Sequence, residues 1–398
     1  MSIVESWTER AEALRDELVA AGKLTSPEWQ AAVLAVPRHE FVPQFYQRGA
    51  GPGPVNWELV SESSANTRER WWNGVWTNTS LVTRLGEVGR AGRQVVSGPS
   101  SSSSAPSLMT RMLEALDIRD GNRVLEIGTG TGYNAALMSH RLGEQNVFSL
   151  DVDGELVGSA RDRLAALGYR PTLVTADGVT GLAQYAPYDR ILVTCAVSRV
   201  PWSWAEQTTT GGLILVDVKP SASVGNLVLL RREVDRLEGR FDSGYATFMH
   251  MRTPAFHVEP RVRPARHRDD AQRRRTTLRA ERLWENVPLW FLVHLWEGGR
   301  VDFGYSMDPD TGGPGAVFFS SQDGSWCELP TGGENGDREV WEGGPRRLWA
   351  TIEAAIEFWH QLGEPAWSRF GLTVMSSDTQ LVWLDEPTSP NRWPLPLM

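Results

Sequence analysis

The chain has 398 residues, of which 41% are apolar, enough for two or three domains with sizeable cores. Its formal net charge of -9 argues against a general nucleic-acid binder. Two cysteines, Cys195 and Cys327, form neither a disulfide framework nor a CxxC metal site, and the histidines are scattered; a reducing compartment and no metal site are expected. The opening Met1-Ser2-Ile3-Val4-Glu5 lacks an apolar signal core. No run approaches the roughly 18 apolar residues of a membrane span, so a soluble cytoplasmic protein is expected.

Trp7 to Ala21 repeats apolar residues at helical spacing, with Gly22 as C-cap. Ser26-Pro27-Glu28 opens a second helix through Leu34, with an N-cap, a proline at the first position and an acid in the first turn. Val36-Pro37-Arg38-His39-Glu40-Phe41-Val42-Pro43 comes next, and His39 in such a proline-flanked loop reads as structural. Gly49 to Pro54 reads as a linker. Trp57, Trp71, Trp72 and Trp76 then interleave with polar residues, either as the wall of a peptide groove or as packing between domains. Ser100 to Ser104 are five serines, in composition a flexible linker. After Ala105-Pro106 comes an amphipathic helix with Leu108, Met112 and Leu116 on one face.

Arg123 to Ala136 organises the middle of the chain. Val124, Leu125 and Ile127 suit a buried parallel strand, Gly128, Gly130 and Gly132 make a turn, and Asn134 to His140 begins a helix. Strand, glycine turn and helix form the first unit of a doubly wound α/β fold. The spacing is G-x-G-x-G, and Tyr133 stands where a dinucleotide fingerprint wants its third glycine, so a ligand lying flat on the glycines fits better than a pyrophosphate. Val147 to Leu150 is a second strand with Asp151 at its end, about 20 residues past the turn, where an acid takes ribose hydroxyls. Pro171 to Val174 reads as a strand followed by an Asp177-Gly178 turn, and Ala186 to Ala196 contains a further strand, in which Cys195 reads as packing.

Val124-Leu-Glu-Ile-Gly-Thr-Gly-Thr-Gly-Tyr133 resembles the S-adenosylmethionine motif of class I methyltransferases, and in particular the protein-L-isoaspartate O-methyltransferase family. The segment Val36 to Pro43, the Asp-Gly turn, and the stretches Ala186 to Ala196 and Gln207 to Leu215 are similar to that family too, so the resemblance covers roughly residues 10–220. It implies a class I (Rossmann-like) sheet and S-adenosylmethionine as cofactor. Glu126 would order the glycine loop; Gly128, Thr129, Gly130, Gly132 and Val152 would line the cofactor; Asp151 would hold its ribose; Asp177 and Gly178 would contact its adenine. Gap-free register places Ser104-Ala105-Pro106 on the family's Ser-x-Pro, which makes Ser104 the substrate-contacting serine with Ser103 and Ser102 as helpers. Ser103, Ser107 and Leu108 depart from the family's usual residues.

The chain continues well past the resemblance. Its reading is an N-terminal helical and Trp-rich region (1–90), a methyltransferase core (91–222), an Arg-rich connection (223–284) and a C-terminal α+β domain (285–398) for peptide recognition. The connection, with Arg261, Arg263, Arg266, Arg268 and Arg273-Arg274-Arg275, reads as a solvated linker or a dock for an acidic peptide. Val287 to Trp296 is a buried strand or helix. Ala316 to Phe319 with Ser325 to Leu329, and Phe370 to Met375 with Gln380 to Leu384, are hairpins, and Leu348 to Leu362 is an amphipathic helix. An extended chain of this kind resembles the methyltransferases of ribosomally made peptides, the graspetides and certain lanthipeptides. By that resemblance the substrate is an aspartate of a modified, macrocyclic precursor peptide, whose ester collapses to an aspartimide. General repair of isoaspartyl residues and non-catalytic peptide binding are the alternatives. An aspartate, with a reference pKa near 3.9, is already ionised at neutral pH, so methyl transfer to it needs no general base.

Overall fold

The computed structural model describes residues 6–49, 56–91, 94–221, 223–253, 271–278, 280, 282–308, 310–331 and 338–396. Most of the glycine-proline linker, and Arg261, Arg263, Arg266 and Arg268, lie outside the described residues. The chain divides into two compact units, Met1–Cys195 with Ser203–Val216 and Met251–Val258, and the remainder. Among the described residues no helix is long and apolar enough to cross a membrane.

The first unit opens with α1 (Trp7–Ala20), α2 (Pro27–Ala35) and α3 (Arg38–Phe41). Ser26 does not cap α2 with its own side chain. Instead the Glu114 carboxylate accepts the backbone N–H groups of Thr25 and Ser26, both at 2.8 Å, so the acceptor comes from a distant helix. The region then differs from a purely helical one. Strands β1 (Gln44–Arg48) and β2 (Trp57–Ser61), helix α4 (Arg68–Val75), and strands β3 (Leu81–Ala91) and β4 (Gln94–Ser103) build an antiparallel sheet in the order β2-β1-β3-β4. Four of the five serines, Ser100 to Ser103, therefore belong to a paired strand, with Ser103 opposite Leu81 and Ser102 opposite Val82.

Helix α5 (Pro106–Ala115) leads to the parallel strands β5 (Val124–Ile127), β6 (Val147–Asp151), β7 (Thr172–Thr175) and β8 (Tyr188–Val197), with α6 (Tyr133–Leu142) and α7 (Gly154–Ala166) as the first crossovers. All four residues of β5 are buried, which is why its sequence does not alternate. Strand order is β7-β6-β5-β8, so the chain winds outward from β5 and returns to its other side. That reversal puts the carboxyl end of β5 at a topological switch point, where ligands of such sheets bind. Helix α8 (Trp202–Glu206) and strand β9 (Thr208–Ser221) complete this part of the chain, β9 beside β8.

Among its described residues the second unit holds two long helices, a five-stranded sheet and further strands of the sheet that contains β9. β10 (Val224–Arg232) and β11 (Arg236–Phe241) run beside the end of β9, while β12 (Gln272–Thr276) belongs to a separate five-stranded sheet. Both stretches lie in the part read as an arginine-rich connection. Arg273 stacks on Trp341, 4.0 Å from its ring centre, and Arg274 lies 3.7 Å from the Glu342 carboxylate. The triplet is thus part of a sheet, with the charges of Arg273 and Arg274 engaged, not a solvated linker. Helix α9 (Val287–Glu297) begins at Asn286, whose side chain accepts the Leu289 N–H, and stops at Gly298 in a left-handed conformation. Strands β13 (Val301–Met307), β14 (Pro314–Ser321), β15 (Trp326–Pro330) and β16 (Arg338–Gly343) join β12 in the order β12-β16-β15-β14-β13. Val317, Phe319, Cys327, Leu329 and Val340 form a fully buried face of that sheet, against which helix α10 (Leu348–Gln361) sets Trp349, 6.0 Å from Phe319. Strands β17 (Phe370–Met375), β18 (Gln380–Leu384) and β19 (Arg392–Pro394) extend the sheet of β10 and β11 beyond β11. Phe291 of α9 is fully buried, with the rings of Trp367, Phe241 and Phe370 at 4.9, 5.3 and 5.9 Å. The tryptophans of this half, among them Trp290, Trp349, Trp367 and Trp383, are mainly core. Phe291→Ala is expected to cost the second unit about 3–5 kcal/mol in denaturant unfolding. A loss below about 1 kcal/mol would mean that α9 is not what its core is built on.

Candidate active site

The glycine loop after β5 is held from below by one acid. Glu126 is 1% exposed. Its carboxylate accepts from the Asn134 amide at 2.8 Å and from the Ser149 hydroxyl at 2.7 Å. The Ser149 hydroxyl has one proton, which goes to Glu126, so its 2.7 Å contact with Thr129 is a bond donated by Thr129. Glu126 is thereby joined to helix α6, to the neighbouring strand β6 and to the loop itself. Burial pushes its carboxyl up to about 7; the bonds from Ser149 and Asn134 pull the other way.

The glycines are needed at definite places. Gly128 has φ 105°, and a Cβ there would lie 2.5 Å from the Thr194 hydroxyl; Gly132 has φ 88° and would press on Ala160 at 3.0 Å. The Leu150 carbonyl accepts from both Gly128 and Thr129, at 2.8 and 3.0 Å. Asp151 ends β6 and is 9% exposed; its two carboxylate oxygens accept the N–H groups of Gly130 and Asp153, each at 3.1 Å. Each oxygen keeps a further lone pair. Val152 comes next on the same turn and is half-buried. Asp177 caps the short turn Gly178–Thr180 by accepting the Val179 N–H at 3.0 Å. The Gly178 carbonyl accepts the indole N–H of the buried Trp204 at 2.8 Å, and a Cβ on Gly178 would collide with Met251 and Ile127.

The serine strand arrives at this loop. A Cβ placed on Gly130 would lie 3.7 Å from the Ser102 carbonyl and 3.8 Å from the Ser101 hydroxyl. Burial alternates along the strand's end: Ser101 and Ser103 are buried, while Ser102 and, just past the strand, Ser104 are half-buried. Ser102 therefore shares the more open side with Ser104, and Ser103 points toward the packed side. The turn is fastened twice. Arg84 of β3 binds Asp153 and Glu155 at the start of α7, both at 2.7 Å. Arg38, fully buried, donates to the carbonyls of Val75, Thr77, Thr79 and Ser104.

The profile described as protein-L-isoaspartate(D-aspartate) O-methyltransferase matches residues 91–242. Proteins named protein-L-isoaspartate O-methyltransferase are similar over that stretch. One from Ignicoccus hospitalis is 42% identical over 31% of this chain and 59% of its own length. One from Fervidobacterium nodosum is 40% identical, over 34% of this chain and 68% of its own length. One from Archaeoglobus fulgidus is 33% identical, over 52% of this chain and 77% of its own length.

The chain belongs to the protein-L-isoaspartate O-methyltransferase family. It therefore belongs among S-adenosylmethionine-dependent enzymes. A solved structure of that name shares the fold at a TM-score of 0.54 and 22% identity, over 94% of this chain and 100% of its own. So a fold counterpart exists beyond the stretch that resembles the family in sequence.

The residues fit the cofactor of the family. At Gly128 and Gly132 a positive φ and a close neighbour disfavour a Cβ, which leaves flat backbone at the end of β5, and an acid with spare lone pairs closes the adjacent strand. Sequence reasoning passed over Arg38, Arg84, Asn134, Ser149 and Trp204. For Ser149 a signal existed, a hydroxyl inside an otherwise apolar strand; Arg38 stood beside the histidine that drew notice. That histidine packs among Trp72, Trp76 and Trp7 at 5.3, 5.6 and 6.1 Å, and burial lowers its pKa. With Trp71 bonded to the Val42 carbonyl at 2.7 Å, this cluster packs the interior of the first unit.

A carboxyl whose folded pKa lies above its unfolded value stabilises the fold when protonated. Stability should therefore fall as pH rises from about 4.5 to 7, by on the order of 3 kcal/mol from Glu126, and level off above. Glu126→Gln should flatten that slope in urea titrations at a series of pH values. An unchanged slope would show that another group causes it.

Proposed function

We propose that this chain is a methyltransferase for carboxylates in proteins or peptides, and that L-isoaspartyl residues are its substrates. The observation that carries the reading is the approach of the end of β4 to the glycine loop: the Ser102 carbonyl and the Ser101 hydroxyl lie 3.7 and 3.8 Å from a Cβ placed on Gly130, so the strand that leads into Ser104 runs beside the loop that would hold the methyl donor. When bound, S-adenosylmethionine supplies an electrophilic methyl group that an ionised carboxylate displaces in line.

The chain's own residues orient and desolvate. Asp151 offers its remaining lone pairs to the ribose hydroxyls, and Asp177 and Gly178 form the adenine end. Gly128, Thr129, Gly130, Gly132 and Val152 make the surface beneath, with Glu126 keeping the loop in shape. Ser104 donates its hydroxyl to one carboxylate oxygen and so aims the other at the methyl group, while Ser102 assists from the same side. Ser103 acts through strand packing. No general base enters, because the nucleophile is already ionised. The contribution comes from near-attack geometry and removal of water. The ester is then open to attack by the following backbone nitrogen, which expels methanol and closes a succinimide without help from a side chain.

A second reading keeps the same chemistry on an aspartate of a modified, macrocyclic precursor peptide, with aspartimide as product. Its support is the large second unit, with its own aromatic core, as a peptide-recognition part. The isoaspartyl reading is preferred because the relatives bear that name and the extended fold has a counterpart under it.

Ser104→Ala is expected to lower kcat by about 10- to 100-fold with cofactor affinity unchanged, since only alignment is lost. Asp151→Ala is expected to weaken cofactor binding by roughly 10- to 100-fold, the worth of a charge-assisted hydrogen bond. Isothermal titration with S-adenosylhomocysteine and peptide mass spectrometry separate the two. Unimpaired turnover in Ser104→Ala would remove its assignment. The reading itself is decided by incubating the protein with S-adenosylmethionine and either an isoaspartyl hexapeptide or a macrocyclised precursor encoded beside its gene. A gain of about 14 Da on the hexapeptide supports isoaspartyl methylation; reaction of the cyclic peptide alone supports the second reading, and reaction of neither rejects both.

A further inference from the structure

Arg38 is the least explained charge of the first unit. It is 0% exposed, although burying a guanidinium is costly without a counter-charge. Among the described residues no carboxylate lies within ion-pair distance. Its partners are four backbone carbonyls: Val75 at 2.7 Å and Thr77 at 2.8 Å from one terminal nitrogen, Thr79 at 3.3 Å and Ser104 at 3.4 Å from the other. Its Nε has no partner. These carbonyls spread its charge but do not cancel it, and burial brings its pKa down only to about 10, so it stays cationic at neutral pH. The same charge acts on the buried phenol of Tyr133, the first residue of α6 after the glycine loop. Arg38 thus sits between the serine corner and the loop's helix, fastening the turn Val75–Thr79 to the corner.

We propose that Arg38 is a positioning residue for methyl transfer: it holds the Ser104 corner in place through its carbonyl, and its uncompensated positive charge favours an anionic carboxylate at that corner. The proposal rests on the carboxyl-methylation reading above. Only a planar fork can reach four carbonyls at once; a lysine keeps the charge without the fork, and a glutamine keeps neither.

The experiment compares wild type, Arg38→Lys and Arg38→Gln with an isoaspartyl hexapeptide. Rates are counted per S-adenosylhomocysteine-binding site, so that only folded molecules enter. Both variants are expected to lose about 10- to 100-fold in kcat, as for a misplaced reacting group, with cofactor affinity within about twofold of wild type. A positive charge beside a bound carboxylate lowers its pKa. Its removal in Arg38→Gln should therefore move the acid limb of the kcat profile to higher pH, while Arg38→Lys leaves that limb in place. Combined with Ser104→Ala, Arg38→Lys should add little further loss, since both act through one corner. Wild-type kcat in Arg38→Lys, multiplicative losses in the double variant, or acid limbs that do not differ would overturn the proposal. So would failure of both variants to bind S-adenosylhomocysteine, which would make Arg38 part of the fold alone. A wild type inactive on every carboxylate peptide would overturn the underlying reading and the proposal together.

Discussion

The first unit depends on one buried carboxyl. Glu126 sits at the third position of a four-residue strand with no exposed residue, where a side chain without hydrogen bonds would be expelled or replaced. It stays because three polar groups converge on it: Asn134 from the helix after the loop, and Ser149 with Thr129 behind it. Each belongs to a different piece of the βαβ unit. The glycines permit the loop's unusual φ angles, but they do not choose among conformations, since freedom at φ above zero is what glycine has in plenty. The acid makes the choice. An apolar residue at 126 would leave the Ser149 and Thr129 hydroxyls and the Asn134 amide in a dry place with fewer partners, and the loop would lose its register with β6.

What the antiparallel sheet adds is delivery. The parallel sheet provides a switch point at the end of β5, which is generic to the fold. Strands β3 and β4 bring a run of serines to that point and hold it there as paired backbone. Arg84 anchors the delivering hairpin to the start of α7, one turn from Asp151. The serine run therefore belongs to a rigid frame, and its small side chains allow the strand to pass within about 4 Å of a virtual Cβ on Gly130. A larger residue at that crossing would displace either the strand or the loop.

Much of this was legible in the sequence where local pattern and tertiary role coincide. The apolar run of β5, the glycine spacing and the acid closing β6 each carry their own signature. So do the hairpins and the long helix of the second unit. Ser100 to Ser104 did not, because five small polar residues have the composition of a linker and only cross-strand pairing with β3 makes them a strand. The arginine triplet failed for the same reason: Arg273 and Arg274 gain their partners from β16, some seventy residues away, and a window along the chain sees only like charges. The N-terminal sheet was hidden because β1 and β2 are short and largely polar, and β2 is an edge strand. In the site, the residues missed are those that act on others. Ser149 and Arg38 have no motif of their own; their meaning lies in the groups they hold.

Among the described residues of the first unit, Arg38 and Glu126 are the most deeply buried charged residues, with Asp151 a third at 9% exposure. Glu126 is drawn toward its neutral form near pH 7, and Arg38 keeps its charge although it is fully buried. They are not a pair, so neither neutralises the other. A general acid–base enzyme would need titrating groups facing each other across the reacting atoms. Carboxyl methylation needs none, because its nucleophile is ionised before it arrives and its leaving group departs without a proton. Under that chemistry, buried charge can serve geometry instead of proton transfer: the acid fixes the loop, the guanidinium fixes the serine corner, and the space between them is left to two partners whose alignment is the catalysis.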